Sequence, residues 1–382
     1  MRKLGWLSFG KLRASIGTTG NDQIGDNQFA QAYSNTNSTR GYQGRQGVIP
    51  QTFANDRLAW KSIIAATSNW ICIFSITRSG SRPWPTGTGP TTELVYTSLP
   101  SQAGLPGVFS NFPADVVNNG LEFTLTTHNI DGPGKEFRWV STLVLTVPRN
   151  QLKKFPNLAS STYAGSLYEG KSLSEITGYH YTGVDRSTGL FGFTDYNKNG
   201  VLDPGDRKPG GNPDLHYYGG LDQSFQWRRW QLNIFFEYRV GKGINPLVML
   251  YQLKPPPGQL GLSMLNNGPV EWQDHWRAPG DKAVLQRLSA DQSSAASQQA
   301  GYYPYSDALL TDASFLRLKS LALRWRLPDK WVSRAGMSNA QLYLQGQNLL
   351  TWTKFPVTDP ETQDPSVLPP MRMITLGFHI TL

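Results

Sequence analysis

Between Trp230 and Val240 every even-numbered residue is apolar: Trp230, Leu232, Ile234, Phe236, Tyr238 and Val240. Gln231, Asn233, Glu237 and Arg239 fill most of the gaps. A repeat of two sends alternate side chains to opposite faces of an extended chain, so such a ribbon has one apolar and one polar side. Leu121–His128 and Ala340–Gln345 alternate in the same way, and so does the chain end. There Ile374, Leu376, Phe378, Ile380 and Leu382 interleave with Thr375, Gly377, His379 and Thr381. After Phe315 the phase slips: Leu316 and Leu318 are even, whereas Leu321, Leu323, Trp325 and Leu327 are odd. One extra residue shifts a strand's phase, which predicts a β-bulge near Ser320.

These ribbons run for about ten residues. Ordinary strands have about 5–6, and a tilted membrane-spanning strand needs about 9–11. Length therefore points to an all-β, antiparallel transmembrane barrel, with a soluble sandwich or lectin-like domain as the alternative. Trp227, Trp230, Trp325, Trp331 and Trp352 fall at or near strand ends, where barrels carry aromatic girdles. The 38 Gly, 26 Pro, 12 Trp, 16 Tyr and 17 Phe favour strands and turns over helices. A mean hydropathy of −0.40 does not exclude a barrel, because only alternate strand residues meet lipid. The least polar long run, Ser62–Thr77, is too short and too rich in Ser, Thr and Asn for a spanning helix. No apolar run follows Met1-Arg2-Lys3, so the chain reads as lacking an export signal.

Polar loops are expected over Asn27–Gly47 and over Val270–Tyr305, the latter with a low-complexity centre at Ser289–Gln299. Gly132-Pro133-Gly134 and Leu327-Pro328-Asp329-Lys330 read as short turns. From Trp70 to Pro90 the alternation fails, and Pro83, Pro85 and Pro90 are expected to destroy any ladder.

Lys and Arg exceed Asp and Glu by 36 − 27 = 9, but they are scattered one per strand. That distribution speaks for a solvated or headgroup-facing surface and against a nucleic-acid partner. Cys72 is alone, so no internal disulfide and no zinc site can form around it. His128, His180, His216, His275 and His379 lie far apart, and no nucleophile-elbow, zinc-protease or P-loop motif occurs. Glu271 and Asp274 can be paired on paper, but nothing marks them as an acid and base, which leaves a glycoside hydrolase without its machinery. Tyr217, Tyr218, Tyr302, Tyr303 and Tyr305 are candidates for stacking on sugar rings or for interface packing.

The sharpest local motif is Asp195–Asp206, DYNKNGVLDPGD. Its D-x-N-x-N-G spacing gives a calcium-loop ligand set of Asp195, Asn197, Asn199, the Val201 carbonyl, Asp203 and Asp206, with Gly200 at the sharp turn. Position twelve is Asp, not the bidentate Glu of an EF-hand, and two Asn lower the charge, so any Ca²⁺ affinity is expected to be weak. The alternative is a metal-free turn rich in Asx residues.

Several strings, in order along nearly the whole chain, resemble the SusC/RagA family of TonB-linked outer-membrane importers. They are Lys11–Gly25 (KLRASIGTTGNDQIG), Asn55–Lys61 (NDRLAWK), Asn118–Glu122 (NNGLE), Ser314–Lys319 (SFLRLK), and Asn348–Thr353 (NLLTWT) followed by Asp359-Pro360-Glu361. The resemblance implies that residues 1–382 form the C-terminal portion of one 22-stranded TonB-dependent receptor barrel, without its plug. It implies a place in the outer membrane of Bacteroidota, import of glycans or peptides, a SusD-like surface lipoprotein, and a TonB complex reached through a segment this chain lacks. A part of a barrel is expected to be inactive alone, since lipid cannot satisfy bare strand edges. The runner-up is a soluble extracellular β-rich carbohydrate-binding module with a calcium loop. Two departures stand out: the family ends in Phe and this chain in Leu382, and Trp70–Pro90 fits the family nowhere although its flanks do. Compensating frameshifts would produce such a patch.

Overall fold

A computed structural model describes residues 7–21, 31–35, 47–52, 61–74, 79–88, 94–98, 102, 107–111, 114–131, 134–253 and 270–381. Ten long strands dominate: β1 (Leu7–Asn21), β2 (Lys61–Phe74), β3 (Ser79–Thr88), β4 (Asp115–Ile130), β5 (Phe137–Lys154), β6 (Leu215–Trp227), β7 (Trp230–Ile244), β8 (Phe315–Arg326), β9 (Asn339–Thr353) and β10 (Met373–Thr381). Each pairs antiparallel with the next in chain order, giving one up-and-down sheet. An eleventh short segment, Leu310–Asp312, adds to the end of β7. Among the described residues β1 bonds only to β2 and β10 only to β9, so the sheet is open. Also among them, no helix is long and apolar enough to cross a membrane.

Strand lengths run from 9 residues in β10 to 18 in β5, at or above what a bilayer crossing requires. The bulge expected near Ser320 is present: the register against both β7 and β9 shifts between Leu318 and Ser320. It restores the apolar side chains after the slip to the face they occupied before it.

Connections segregate by length. Arg228 and Arg229 alone join β6 to β7, with Arg228 at φ 50°, the left-handed conformation a two-residue hairpin demands. Residues 131–136 join β4 to β5, and a turn carrying the short helix Asp329–Arg334 joins β8 to β9. Residues 155–214, 245–314 and 354–372 are three long connections, and all three leave from the opposite end of the sheet. The first two share one core of Phe191, Val248, Tyr251, Trp272, Leu285, Ala300 and Tyr303, with Phe191 stacked on Tyr303 at 4.1 Å. Four backbone bonds, Tyr179 N to Tyr305 O, Asp307 N to Tyr179 O, Gly280 N to Arg186 O and Arg287 N to Gly189 O, tie them together.

Two expectations are corrected. The low-complexity stretch is not all loop: Ala295–Tyr302 is a helix, because Ser294 caps it by accepting from the Ser297 amide and the following Ala and Gln residues favour helix. The prolines of Trp70–Pro90 do not abolish pairing either. The β3–β4 ladder runs unbroken from Gly80↔Thr126 to Thr88↔Asn118, whereas the β2–β3 ladder is missing over residues 82–85. Pro83 and Pro85 stand two apart, so their missing donors fall on one edge of the strand and cost one ladder only. Most of Asn27–Gly47 and the Gly132-Pro133 dipeptide lie outside the described residues; within the former, Ala32–Asn35 pairs with Val48–Thr52.

Candidate functional site

The sheet has two chemically distinct faces, and the cross-strand register shows how each is assembled. One face carries apolar rows that run from strand to strand. Leu125↔Leu143↔Leu221↔Phe236↔Leu318↔Leu350 crosses six strands. Phe225↔Leu232↔Leu323↔Leu344↔Leu376 crosses five. Directly opposed residues point to the same face, so these rows form a continuous apolar surface. Several of its members are open to the outside, Leu344 being 40 % exposed, Leu350 48 % and Leu376 69 %, whereas Leu318 is buried. At the short-turn end the row becomes aromatic: Phe137↔Trp227↔Trp230↔Trp325↔Leu342↔Phe378. Trp230 stacks on Trp325 at 5.4 Å and Trp331 meets Trp325 edge-on at 6.2 Å. At the other end Tyr238, Leu316 and Trp352 stand in register. The five tryptophans singled out in the sequence therefore sit in, or against, these two rows.

The opposite face is polar, with Asn233, Gln345 and Thr375 typical of it. Toward the long-loop end it carries a balanced ion network. Arg317, 1 % exposed, donates to Asp359 and, at 2.9 Å, to Glu361. Lys319 reaches Glu237 and Glu361, both at 3.0 Å, and Arg239 bonds the same two carboxylates at 2.8 and 3.1 Å. Three cations meet three anions, and strands β7 and β8 are thereby clasped to the 354–372 connection. The Asp359-Pro360-Glu361 string supplies two of the three anions, and Glu237 the third. Its spacing flagged it as a motif, but nothing in the sequence tied it to Arg317, 42 positions away.

The 195–206 loop closes on itself. Asp195 accepts from the Lys198 and Gly200 amides at 2.6 and 2.8 Å. Asn197 Oδ1 accepts from Asn199 N, and Asn199 Oδ1 from Val201 N. Asp203 caps the short turn at Pro204–Asp206, and its Oδ2 receives the side-chain amide of Asn199 at 2.9 Å. Asp206 accepts from the amides of Tyr196, Asn197 and Asp203. Those donors, the Asp203 amide foremost, hold its carboxyl below the usual carboxylate range. Asp206 is fully buried. All six named residues are thus brought together, with oxygens of the type calcium takes. Among the described residues no three Asp, Glu, His or Cys side chains converge as a metal cluster, and a cation would have to displace the amides now on Asp203. The loop thus gathers oxygens of the kind Ca²⁺ takes at one place.

The other named residues do not converge. Tyr303 is buried in the loop core and Tyr302 packs on Tyr179 at 5.2 Å. Tyr305 is exposed beneath Arg207, and Tyr217 and Tyr218 are consecutive on β6, pointing to opposite faces. No common sugar platform results. Glu271 and Asp274 share only a backbone bond. His128 pairs locally with Asp131 at 3.1 Å at the end of β4, and His180 pairs with Asp307 at 2.6 Å, joining two of the long connections. The Cys72 side chain lies outside the described residues.

An up-and-down sheet with one apolar face, aromatic borders, short turns at one end and long loops at the other has the pattern of strands in outer-membrane-type β-barrels. No protein-family model matches the chain. It is 26 % identical over 379 residues to TonB-dependent receptor P3 of Formosa agariphila, covering 92 % of this chain and 36 % of that receptor. It is 23 % identical to TonB-dependent receptor P26 of the same organism, over 97 % of this chain and 40 % of the receptor. Among solved structures it resembles the RagAB peptide transporter with a TM-score of 0.77 at 20 % identity, over 99 % of this chain and 41 % of that one. The RagAB peptide importer in its closed-closed state gives 0.79. Over most of its length the chain is therefore similar to TonB-dependent receptors, with a RagA-like fold. It spans about two fifths of the length of these relatives.

Proposed function

We propose that this chain forms the C-terminal part of the barrel wall of a SusC/RagA-type importer in the outer membrane, moving short peptides or glycans inward with energy from a TonB complex. The observation that carries the reading is the pairing of a continuous apolar face with the segregation, among the described residues from β4 onward, of short turns from long loops. The long-loop end is the outer side, where a SusD-like lipoprotein would sit, and the TonB complex would act from the short-turn side through protein beyond these residues. The free edges of β1 and β10 need partner strands, so the 382 residues do not transport by themselves. A soluble carbohydrate-binding module would leave the rows through Leu344 and Leu376 without a cover. In this setting Ca²⁺ would be held by Asp195, Asn197, Asn199, Val201, Asp203 and Asp206, bracing a loop on the outer side and taking no part in transport.

The test is site-directed labelling in bilayers in a Cys72→Ser background. A nitroxide at Leu344→Cys is expected to collide with lipid-soluble oxygen, and one at Gln345→Cys with a water-soluble nickel chelate. If both labels meet only the aqueous quencher, the membrane assignment is wrong.

A further inference from the structure

At the short-turn end of the sheet a cavity of ≈ 360 Å³ is lined by residues of β6 to β9 and their turns, a size within the range of small-ligand sites. Its wall is four arginines, three glutamines, Asp329 and Trp230. Two of the arginines are spent on carboxylates. Arg228 donates to both oxygens of Glu136 at 2.9 and 3.1 Å, and Arg229 to both oxygens of Asp329 at 2.9 and 3.3 Å. Arg324 and Arg326 are not spent. Among the described residues neither side chain makes a hydrogen bond or salt bridge, and Arg326 acts on Asp329 only through space.

Strand β8 sets these two side by side. They flank Trp325, which belongs to the apolar border row, so both stand on the polar face, about 7 Å apart along the strand. Gln231 lies directly across from Arg324 and Gln341 directly across from Arg326, and opposed residues share a face. Gln226, the third glutamine, pairs with Gln231. Each side-chain amide carries two N–H donors, and Gln231 spends one on a 3.5 Å contact with Asn233.

We propose that this cavity binds a phosphate group in its dianionic form, held by Arg324 and Arg326 with the glutamine amides beside them. Charge selects the ligand. Two uncompensated cations match one group of about −1.5 to −2, whereas a carboxylate or a phosphodiester, with a single charge, leaves one cation over. A guanidinium fork bonds phosphate oxygens in pairs. Asp329, the one anion in the wall, is already gripped by Arg229. A second cavity of ≈ 400 Å³ shares Arg324 and Gln341 and is lined further by Tyr343 and His379, which leaves room for the organic part of a phosphomonoester. A lipid headgroup is a diester and would lie on the apolar side, away from Arg324. The site is built from this chain's own residues and does not depend on the importer reading.

Isothermal titration of the full 382-residue chain in a nonionic detergent tests it, at about 0.1 M NaCl, where exposed charges more than ~10 Å apart are screened. The probes are inorganic phosphate, glucose 6-phosphate and dimethyl phosphate, at a pH about two units above a second phosphate pKa of ~6. Saturable binding of a dianion with a dissociation constant of ~1 mM or tighter is expected, and about tenfold weaker binding of dimethyl phosphate. Glucose 6-phosphate binding tighter than phosphate assigns the site to a phosphomonoester; equal or weaker binding assigns it to the free ion. Arg324→Gln and Arg326→Gln should each lose about tenfold in affinity. Arg138→Gln removes a charge from the same cross-strand row but outside the cavity, and should bind as the parent does. Arg324 and Arg326 are exposed, so their replacement spares the fold, and circular dichroism verifies this. No saturation by either dianion, equal affinity for dimethyl phosphate, binding that survives in both cavity variants, or an equal loss in Arg138→Gln overturns the proposal.

Discussion

An arginine placed on the apolar face should cost stability according to its depth, and the register says where the depth is greatest. The aromatic borders pass through Trp230 and Trp325 at one end and through Tyr238 and Leu316 at the other. Ile234, paired with Leu321, stands four residues from each border. Eight residues at ~3.3 Å each make ~26 Å along the strand, or roughly 20 Å across a bilayer at the usual tilt, close to the ~25 Å apolar band of such barrels. Leu321→Arg therefore puts a guanidinium at mid-depth, where the penalty is ~2–4 kcal/mol, roughly a 30- to 700-fold loss in the folded-to-unfolded ratio. Leu342→Arg lies in the border row and should cost ~0–1 kcal/mol. Ala322→Arg points to the polar face beside Asn233 and Gln345 and should cost about as little. Urea titration of the three variants folded into phospholipid vesicles measures the differences. If Leu342→Arg is as damaging as Leu321→Arg, the apolar rows are packed against protein along their whole length and the depth argument fails.

Four further outcomes follow from the same geometry. Arg317→Met leaves Asp359 without its cation, while Glu361 keeps Lys319 and Arg239, and should cost ~3–5 kcal/mol, read as faster hydrogen exchange over 355–372 than in the body of β9. Asp206 has its folded-state pKa lowered, so its contribution is complete above the unfolded value near ~3.9 and is lost as pH falls through the folded value; the 195–206 loop should become protease-sensitive in that acid range, and Asp206→Asn should make it so at neutral pH. Calorimetry with Ca²⁺ should give a dissociation constant of ~10⁻⁴–10⁻³ M, as in extracellular sites, abolished by Asp195→Asn; no heat at millimolar ion ends the calcium assignment. Replacing Pro83 and Pro85 by Val should restore the missing β2–β3 ladder and slow amide exchange over residues 68–71.

Much of the wall was legible in the sequence because its information is local. Alternation of period two in β4, β7, β9 and β10 states both the strand and its faces, and the slip between Leu318 and Leu321 announces the bulge before any register is known. The border tryptophans were legible for the same reason, since a strand end is a local property. The loop at Asp195–Asp206 was also found by spacing, and its closure uses the very oxygens that spacing singled out. Short helices escaped, because eight residues of Ala295–Tyr302 inside a serine-rich tract carry no periodic signal, and the N-cap at Ser294 decides the matter.

What stayed hidden was every feature that joins distant segments. Arg317 alternates correctly in β8 and reads as one more polar residue; only the fold brings Asp359 and Glu361 to it and removes it from water. Yet the presence of so costly a group can be argued backward. A buried guanidinium is tolerated only where fixed carboxylates and hydrogen bonds compensate it, and three anions arranged around three cations provide that at one point of an otherwise polar, open surface.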